Sequence, residues 1–202
     1  IQATRSNVNE QKTIQIMSKA KSLGRQFQDT MINGDGTGDS FKGLSALVTA
    51  NQTIDVGANG AALQFELLDE LIDSVKDKDG QVDYILASAR TIRSYYALLR
   101  ALGGATIGDV VTLPSGRQVP AYRGVPIFRN DFIATNQSKG TATNTTTLFA
   151  GTVDDGSGKH GIAGLTARGD AGLRVENVGV SETKDETITR VKMYCGLANF
   201  SQ

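Results

Sequence analysis

Between Val8 and Ile32 the apolar residues Met17, Ala20, Leu23, Phe27 and Met31 recur at steps of three and four. That spacing lines side chains along one stripe of an α-helix. A helix of this extent is a rod of roughly 37 Å, long for a chain of 202 residues, so one side of it must lie against a packed surface. Lys12, Lys19, Lys21, Arg25, Gln26 and Gln28 cover the remaining faces. The rod has to stop at Asn33-Gly34-Asp35-Gly36-Thr37-Gly38-Asp39, where closely spaced glycines admit positive φ and sharp turns.

The rest of the chain reads as shorter elements. A helix is expected from Ala61 to Lys76, with Leu63, Leu67, Leu68, Leu71, Ile72 and Val75 inward and Asp79-Gly80 ending it. A strand follows over Val82–Ala87, and Ser88 is placed to cap a helix carrying Ile92, Tyr95, Leu98, Leu99 and Leu102 that ends at Gly103-Gly104. Val110–Leu113 and Arg117–Tyr122 read as a hairpin around Pro114-Ser115-Gly116, with Val125–Phe128 as the next strand. Residues 134–147 are small and polar, too poor in apolar surface to pack, so an exposed, mobile loop is expected. Thr147–Val153, Ile162–Thr166 and Leu173–Val180 are further strands. From Arg190 to Leu197, Val191, Met193, Cys195 and Leu197 alternate with Arg190, Lys192, Tyr194 and Gly196, as in one half-buried strand. The fold class is α+β.

Composition removes several functions. Lys plus Arg total 21 and Asp plus Glu total 21, so no global charge draws the molecule to nucleic acid or an anionic membrane. No apolar run approaches the ~20 residues of a membrane span, and no membrane partner is expected. Cys195 is the sole cysteine, which precludes an internal disulfide. The sequons at Asn51, Asn136, Asn144 and Asn199 arise readily in a Thr/Asn-rich chain.

Candidate chemistry is thin. Asn33, Asp35 and Thr37 alternate like an EF-hand loop, but the twelfth position is Leu44 where a bidentate Glu belongs. No Gly-Lys-Ser/Thr follows the glycines, which excludes a phosphate loop. His160 is the only histidine and no G-x-S-x-G elbow precedes it, so a hydrolase built around it is a distant alternative, as is a carbohydrate-binding β module. Metal ligation by His and Cys fails on count. Acidic residues from Glu66 to Asp79 read as a solvated helix face. Arg90, Arg93 and Arg100 with Tyr95 and Tyr96 admit a basic-aromatic patch for nucleic acid, a subunit contact or plain surface. No catalytic, cofactor-binding or metal residue is assigned, no cofactor is expected, and the chain reads as no enzyme.

The segment Met31-Ile32-Asn33-Gly34-Asp35-Gly36-Thr37-Gly38-Asp39-Ser40-Phe41-Lys42-Gly43-Leu44, following a long helix, closely resembles the turn after the spine helix in major capsid proteins of the Hong Kong 97 fold. Asn33, Gly34, Asp35, Gly36, Gly43 and Leu44 carry the match. The helix over Leu63–Val75 and the helix holding Tyr95–Leu99 resemble that family's axial domain. Tyr122-Arg123-Gly124-Val125-Pro126-Ile127 resembles its Gly-Val-Pro strand, and Leu173 through Phe200 its peripheral hairpin and C-terminal strand.

The resemblance implies a peripheral domain from residues 1–44 and 167–202, with an axial domain from 45–166. It implies a structural subunit of a tailed-phage or prophage capsid, located in the virion after assembly in the host cytoplasm. Copies of the chain would tile hexamers and pentamers around double-stranded DNA held non-specifically. Portal, scaffold and protease proteins would be further partners. Encapsulin nanocompartment shells, which enclose cargo proteins, share the fold and are the alternative. The start at Ile1 fits a processed or partial chain, and the family's N-terminal arm and extended loop find no room before Asn9. A chain without them is expected to stay monomeric or form small oligomers. Where relatives place a cross-linking Asn and its Glu stand Arg190 and Leu197, so no autocatalytic cross-link is expected.

Overall fold

The computed structural model describes residues 11–78, 80–102, 109–168 and 172–200. The expected helix start at 8–10, the stop at Asp79 and the stop at Gly103-Gly104 lie outside the described residues. The chain divides into one unit of Ile1–Ala46 with Gly164–Ala198, and a second of Leu47–Ala163 with Asn199–Gln202.

In the first unit, α1 (Gln11–Asn33) runs for 23 residues, roughly 34 Å of rod. It packs against β10 (Thr187–Met193). Ile16, Ala20, Leu23, Phe27 and Met31 are half-buried and Ile32 is fully buried. Met17 departs from the expected stripe and is 67% exposed. Ile16, four residues before Ala20, takes the inward place, and Met17 falls on the flank. β9 (Leu173–Val180) pairs antiparallel with β10, with a register shift between Ile188 and Thr189. β8 (Ile162–Thr166) pairs with β11 (Cys195–Asn199). The single C-terminal strand expected over 190–197 is therefore two. The chain changes partner at Tyr194, which is 51% exposed, because a period of two specifies which face is buried and says nothing of which strand lies alongside.

The second unit is built on a five-stranded sheet. Its order is β2 (Val110–Thr112), β3 (Gln118–Tyr122), β4 (Val125–Arg129), β1 (Tyr84–Ala87), β7 (Phe149–Gly151). β1 runs parallel to β4, with Ile85 opposite Ile127, and antiparallel to β7. After the single turn of α2 (Leu44–Leu47), α3 (Phe65–Lys76) and α4 (Ala89–Ala101) bury one stripe each on the same sheet face. Leu68, Ile72 and Tyr95 meet Val82, Ile85, Ala87 and Ile127 there. Each fully buried Leu or Ile contributes about 1.5–3 kcal/mol. Ser88 begins α4 as expected, its hydroxyl accepting from the Thr91 N–H at 3.3 Å. It is also buried, so the cap sits under the core instead of in solvent. α3 starts at Phe65, four residues later than its apolar pattern suggested. Gln64 is extended (φ −135°, ψ 161°), and Leu63 reaches the core from extended backbone, so packing overrides helix propensity there.

Residues 134–147, expected as a loop, contain a hairpin instead. β5 (Gln137–Lys139) and β6 (Ala142–Thr145) form an antiparallel hairpin stapled by polar contacts rather than by apolar burial. The Thr145 hydroxyl donates to Gln137 O at 2.8 Å and the Thr147 hydroxyl to Gln137 Oε1 at 2.7 Å. Asn59 Oδ1 accepts from the Thr141 N–H at 2.9 Å, and Lys139 pairs with Asp55. Low hydrophobicity excluded a packed core, but side-chain hydrogen bonds give the threonines an alternative anchor.

Candidate functional site

The Asn33–Leu44 segment is a closed clasp. The Gly34 N–H donates to Thr30 O at 2.9 Å, ending α1, and the Gly43 N–H returns to Gly34 O at 2.8 Å. An isolated bridge pairs Asp35 with Lys42 between these points. The glycines answer to steric need. A Cβ on Gly34 would lie 2.6 Å from Thr30 O, and one on Gly43 would lie 2.8 Å from Gly34 N. Gly36 turns at φ +80°. Ile32 and Leu44, at the two ends, are 1% and 2% exposed, and Phe41 packs its ring 5.9 Å from that of Phe27.

The clasp's oxygens face inward on themselves. Asp35 Oδ1 accepts from the Thr37 N–H at 3.0 Å and Oδ2 from the Thr37 hydroxyl at 2.7 Å. These bonds hold the Asp35 carboxyl below its usual range. The Asn33 side chain donates to Asp29 Oδ1 at 2.7 Å. With the carboxylate engaged and Leu44 buried at the position a calcium loop gives to Glu, the segment is a device for turning a helix end.

His160 lies in an exposed turn with Asp154 and Asp155, each offering one ligand atom within 4.8 Å of the others. Counting His and Cys alone could not find this set, since carboxylates supply two of its three members. Asp154 already accepts from the N–H groups of Gly156 and Gly158 at 3.1 Å, and Asp155 from that of Ser157 at 2.9 Å. Bonds from Ser157 keep the Asp155 carboxyl below its usual range, with His160 a smaller influence. The turn folds on these bonds and provides no water-excluded cleft for His160 to act in. Cys195 is half-buried, and burial raises its thiol pKa, leaving it less reactive.

The expected basic-aromatic patch loses one member. Tyr95 is 3% exposed and donates its hydroxyl to Ala121 O at 2.7 Å, whereas Tyr96, Arg93 and Arg100 face outward. A second cluster forms around Tyr122. Tyr122 stacks on Phe65 at 5.8 Å and donates to Asp69 Oδ1 at 2.9 Å, with burial and then Asp69 pushing its pKa up to about 12. Arg123, at φ +50°, begins the turn between β3 and β4 and meets the same Asp69 oxygen at 2.9 Å. Tyr-Arg-Gly marks a primed hairpin turn, but only the fold brings α3 under it. Among the described residues no helix is long and apolar enough to cross a membrane.

The model of the type 2A encapsulin shell protein SrpI-like family matches residues 9–198. No curated protein matches the chain. Among solved structures, the cryo-electron-microscopy structure of the holo-SrpI encapsulin complex from Synechococcus elongatus PCC 7942 is similar, with a TM-score of 0.74 and 22% identity over 97% of this chain. The chain spans 64% of that protein's length. The family match overturns the tailed-phage reading: the phage, prophage and virion assignments fall, and portal, scaffold and packaged-DNA partners lose their support. The physical reason is visible in the clasp. Asn33, Gly34, Asp35, Gly36, Gly43 and Leu44 close a helix end, a demand of the fold that is the same whether a shell encloses a genome or proteins.

Proposed function

Since the chain belongs to the SrpI-like family of type 2A encapsulin shell proteins, we propose that it is a structural, non-catalytic subunit of a protein nanocompartment, associating with copies of itself around a protein cargo. The family match over nearly the whole chain carries this reading. The mixed α+β fold supports it through likeness to the holo-SrpI encapsulin. Within a Hong Kong 97-type subunit, α1 is the spine of the peripheral part and the sheet with α3 and α4 is the axial part. The work of such a subunit is done by surfaces that repeat from copy to copy, with no single reactive centre.

The test is recovery of the full-length protein from its own host, followed by electron microscopy and analysis of what the particles hold. Closed shells containing a co-purifying protein and no nuclease-protected DNA are expected. Monomers only, or shells filled with DNA, would sink the reading.

A further inference from the structure

Two helices on the same sheet face carry opposite charge, acidic on α3 and basic on α4. α4 (ARTIRSYYALLRA) holds Arg90, Arg93 and Arg100 and no acid. α3 (FELLDELIDSVK) holds Glu66, Asp69, Glu70 and Asp73 against Lys76 alone, and Asp77 caps it. Glu66, Glu70, Asp73 and Asp77 follow one another at steps of four, three and four, one straight stripe on the helix, and all four are exposed. Arg123 comes within 3.9 Å of Asp73. Among the described residues Glu66, Glu70 and Asp77 form no ion pair, nor do Arg90, Arg93 and Arg100, while Arg123, Arg129, Lys139 and Lys192 all do. Like charges three and four apart weaken an isolated helix, and both helices tolerate them.

The two stripes match in pitch. Arg93 and Arg100 are seven residues apart, as are Glu66 and Asp73, and Glu70 and Asp77, which sets each pair roughly 10 Å apart along its helix. We propose that the α3 acid stripe of one copy seats against Arg93 and Arg100 on α4 of the next copy, a head-to-tail contact between identical chains. Because the contact joins two different patches, repeating it produces a ring when the rotation closes. It rests on the shell-subunit reading and names the surfaces that such a subunit uses. Tyr96, 39% exposed beside the arginines, supplies a flat aromatic surface in the same contact.

Two charge reversals test it, R93E/R100E and E70K/D77K, with sedimentation velocity at low and at 0.5 M salt, where the screening length falls to a few ångströms. Wild type associates at low salt and less so at high salt. Each variant alone associates about tenfold or more weakly, since attraction becomes repulsion at two positions. An equimolar mixture of the two regains association, because each copy's altered helix then meets its complement. Variants that associate like wild type, a mixture no better than its components, or a wild type that stays monomeric at low salt would each overturn the contact. If a reversal disturbs the circular dichroism spectrum, the neutral pair R93Q/R100Q and E70Q/D77Q replaces it, with the same direction expected. Full-length protein that still builds closed shells while every variant behaves as wild type removes this contact alone. Full-length protein that builds no shell removes the reading beneath it.

Discussion

Replacing Gly43 by Ala tests whether the Asn33–Leu44 segment is a steric clasp. The new Cβ would stand 2.8 Å from Gly34 N and 2.9 Å from Ile32 C, both backbone atoms that cannot swing aside like a side chain. Forcing an extra methyl into such a space costs about 1–3 kcal/mol. The shift also weakens the 2.8 Å bond from Gly43 N–H to Gly34 O, worth about 1 kcal/mol. Lower entropy of the unfolded chain returns about 0.4–1 kcal/mol. The net is a loss of about 2–3 kcal/mol, which for a chain of this size lowers the melting temperature by about 5–10 °C. Two other glycines calibrate the measurement. Gly24, inside α1 with nothing within 4 Å of its would-be Cβ, should gain up to about 1 kcal/mol as Ala. Gly38 also has open space but sits at φ +59°, so Ala there loses about 1 kcal/mol to backbone strain. Thermal unfolding followed by circular dichroism should therefore rank G24A above wild type, then G38A, then G43A. A G43A protein melting within about 2 °C of wild type, or above G38A, would refute the clasp.

Three further outcomes follow from the core and its polar anchors. Ile72→Ala, at a side chain 1% exposed, should lose about 2–5 kcal/mol in urea unfolding, and a loss below 1 kcal/mol would mean the site collapses freely. Ser88→Ala removes a buried cap and should cost about 1–2 kcal/mol, with Ser88→Asn recovering less than an exposed cap would because the site is closed. Tyr122 is protonated in the fold to about pH 12 and near its ordinary value of 10 when unfolded. Its contribution to stability is complete below pH 10 and lost as pH rises through 12. Asp69→Asn should bring the Tyr122 ionisation, followed by ultraviolet absorbance, down toward 10, and an unchanged titration would remove Asp69 as a cause.

The legible parts of the molecule are those governed by one short stretch of chain. The stripe from Ala20 to Met31, the glycine stop at Asn33–Gly38, the Ser88 cap and the hairpin ahead of Tyr122 all depend on neighbours within a few residues, so each is legible in the sequence. The stripe erred at its free end, at Met17, where no packing partner enforces it. The 134–147 hairpin escapes a local reading because two of its staples come from Asn59 and Asp55, some eighty positions away. The Asp154–Asp155–His160 cluster was missed because carboxylates were not counted as ligands. The clasp residues were found, yet they could not separate one kind of shell from another, since they report how a helix ends.

What the sequence by itself determined is most of the local elements and the α+β class, because periodicity, capping and turn chemistry act over short separations. Only the tertiary structure decided that β10 and β11 take different partners, that Tyr95 goes inward while Tyr96 stays out, and that an acidic and a basic helix share one sheet face. Those outcomes depend on which distant segments come to lie together, and burial against a particular neighbour outweighs the propensities that a single stretch can display.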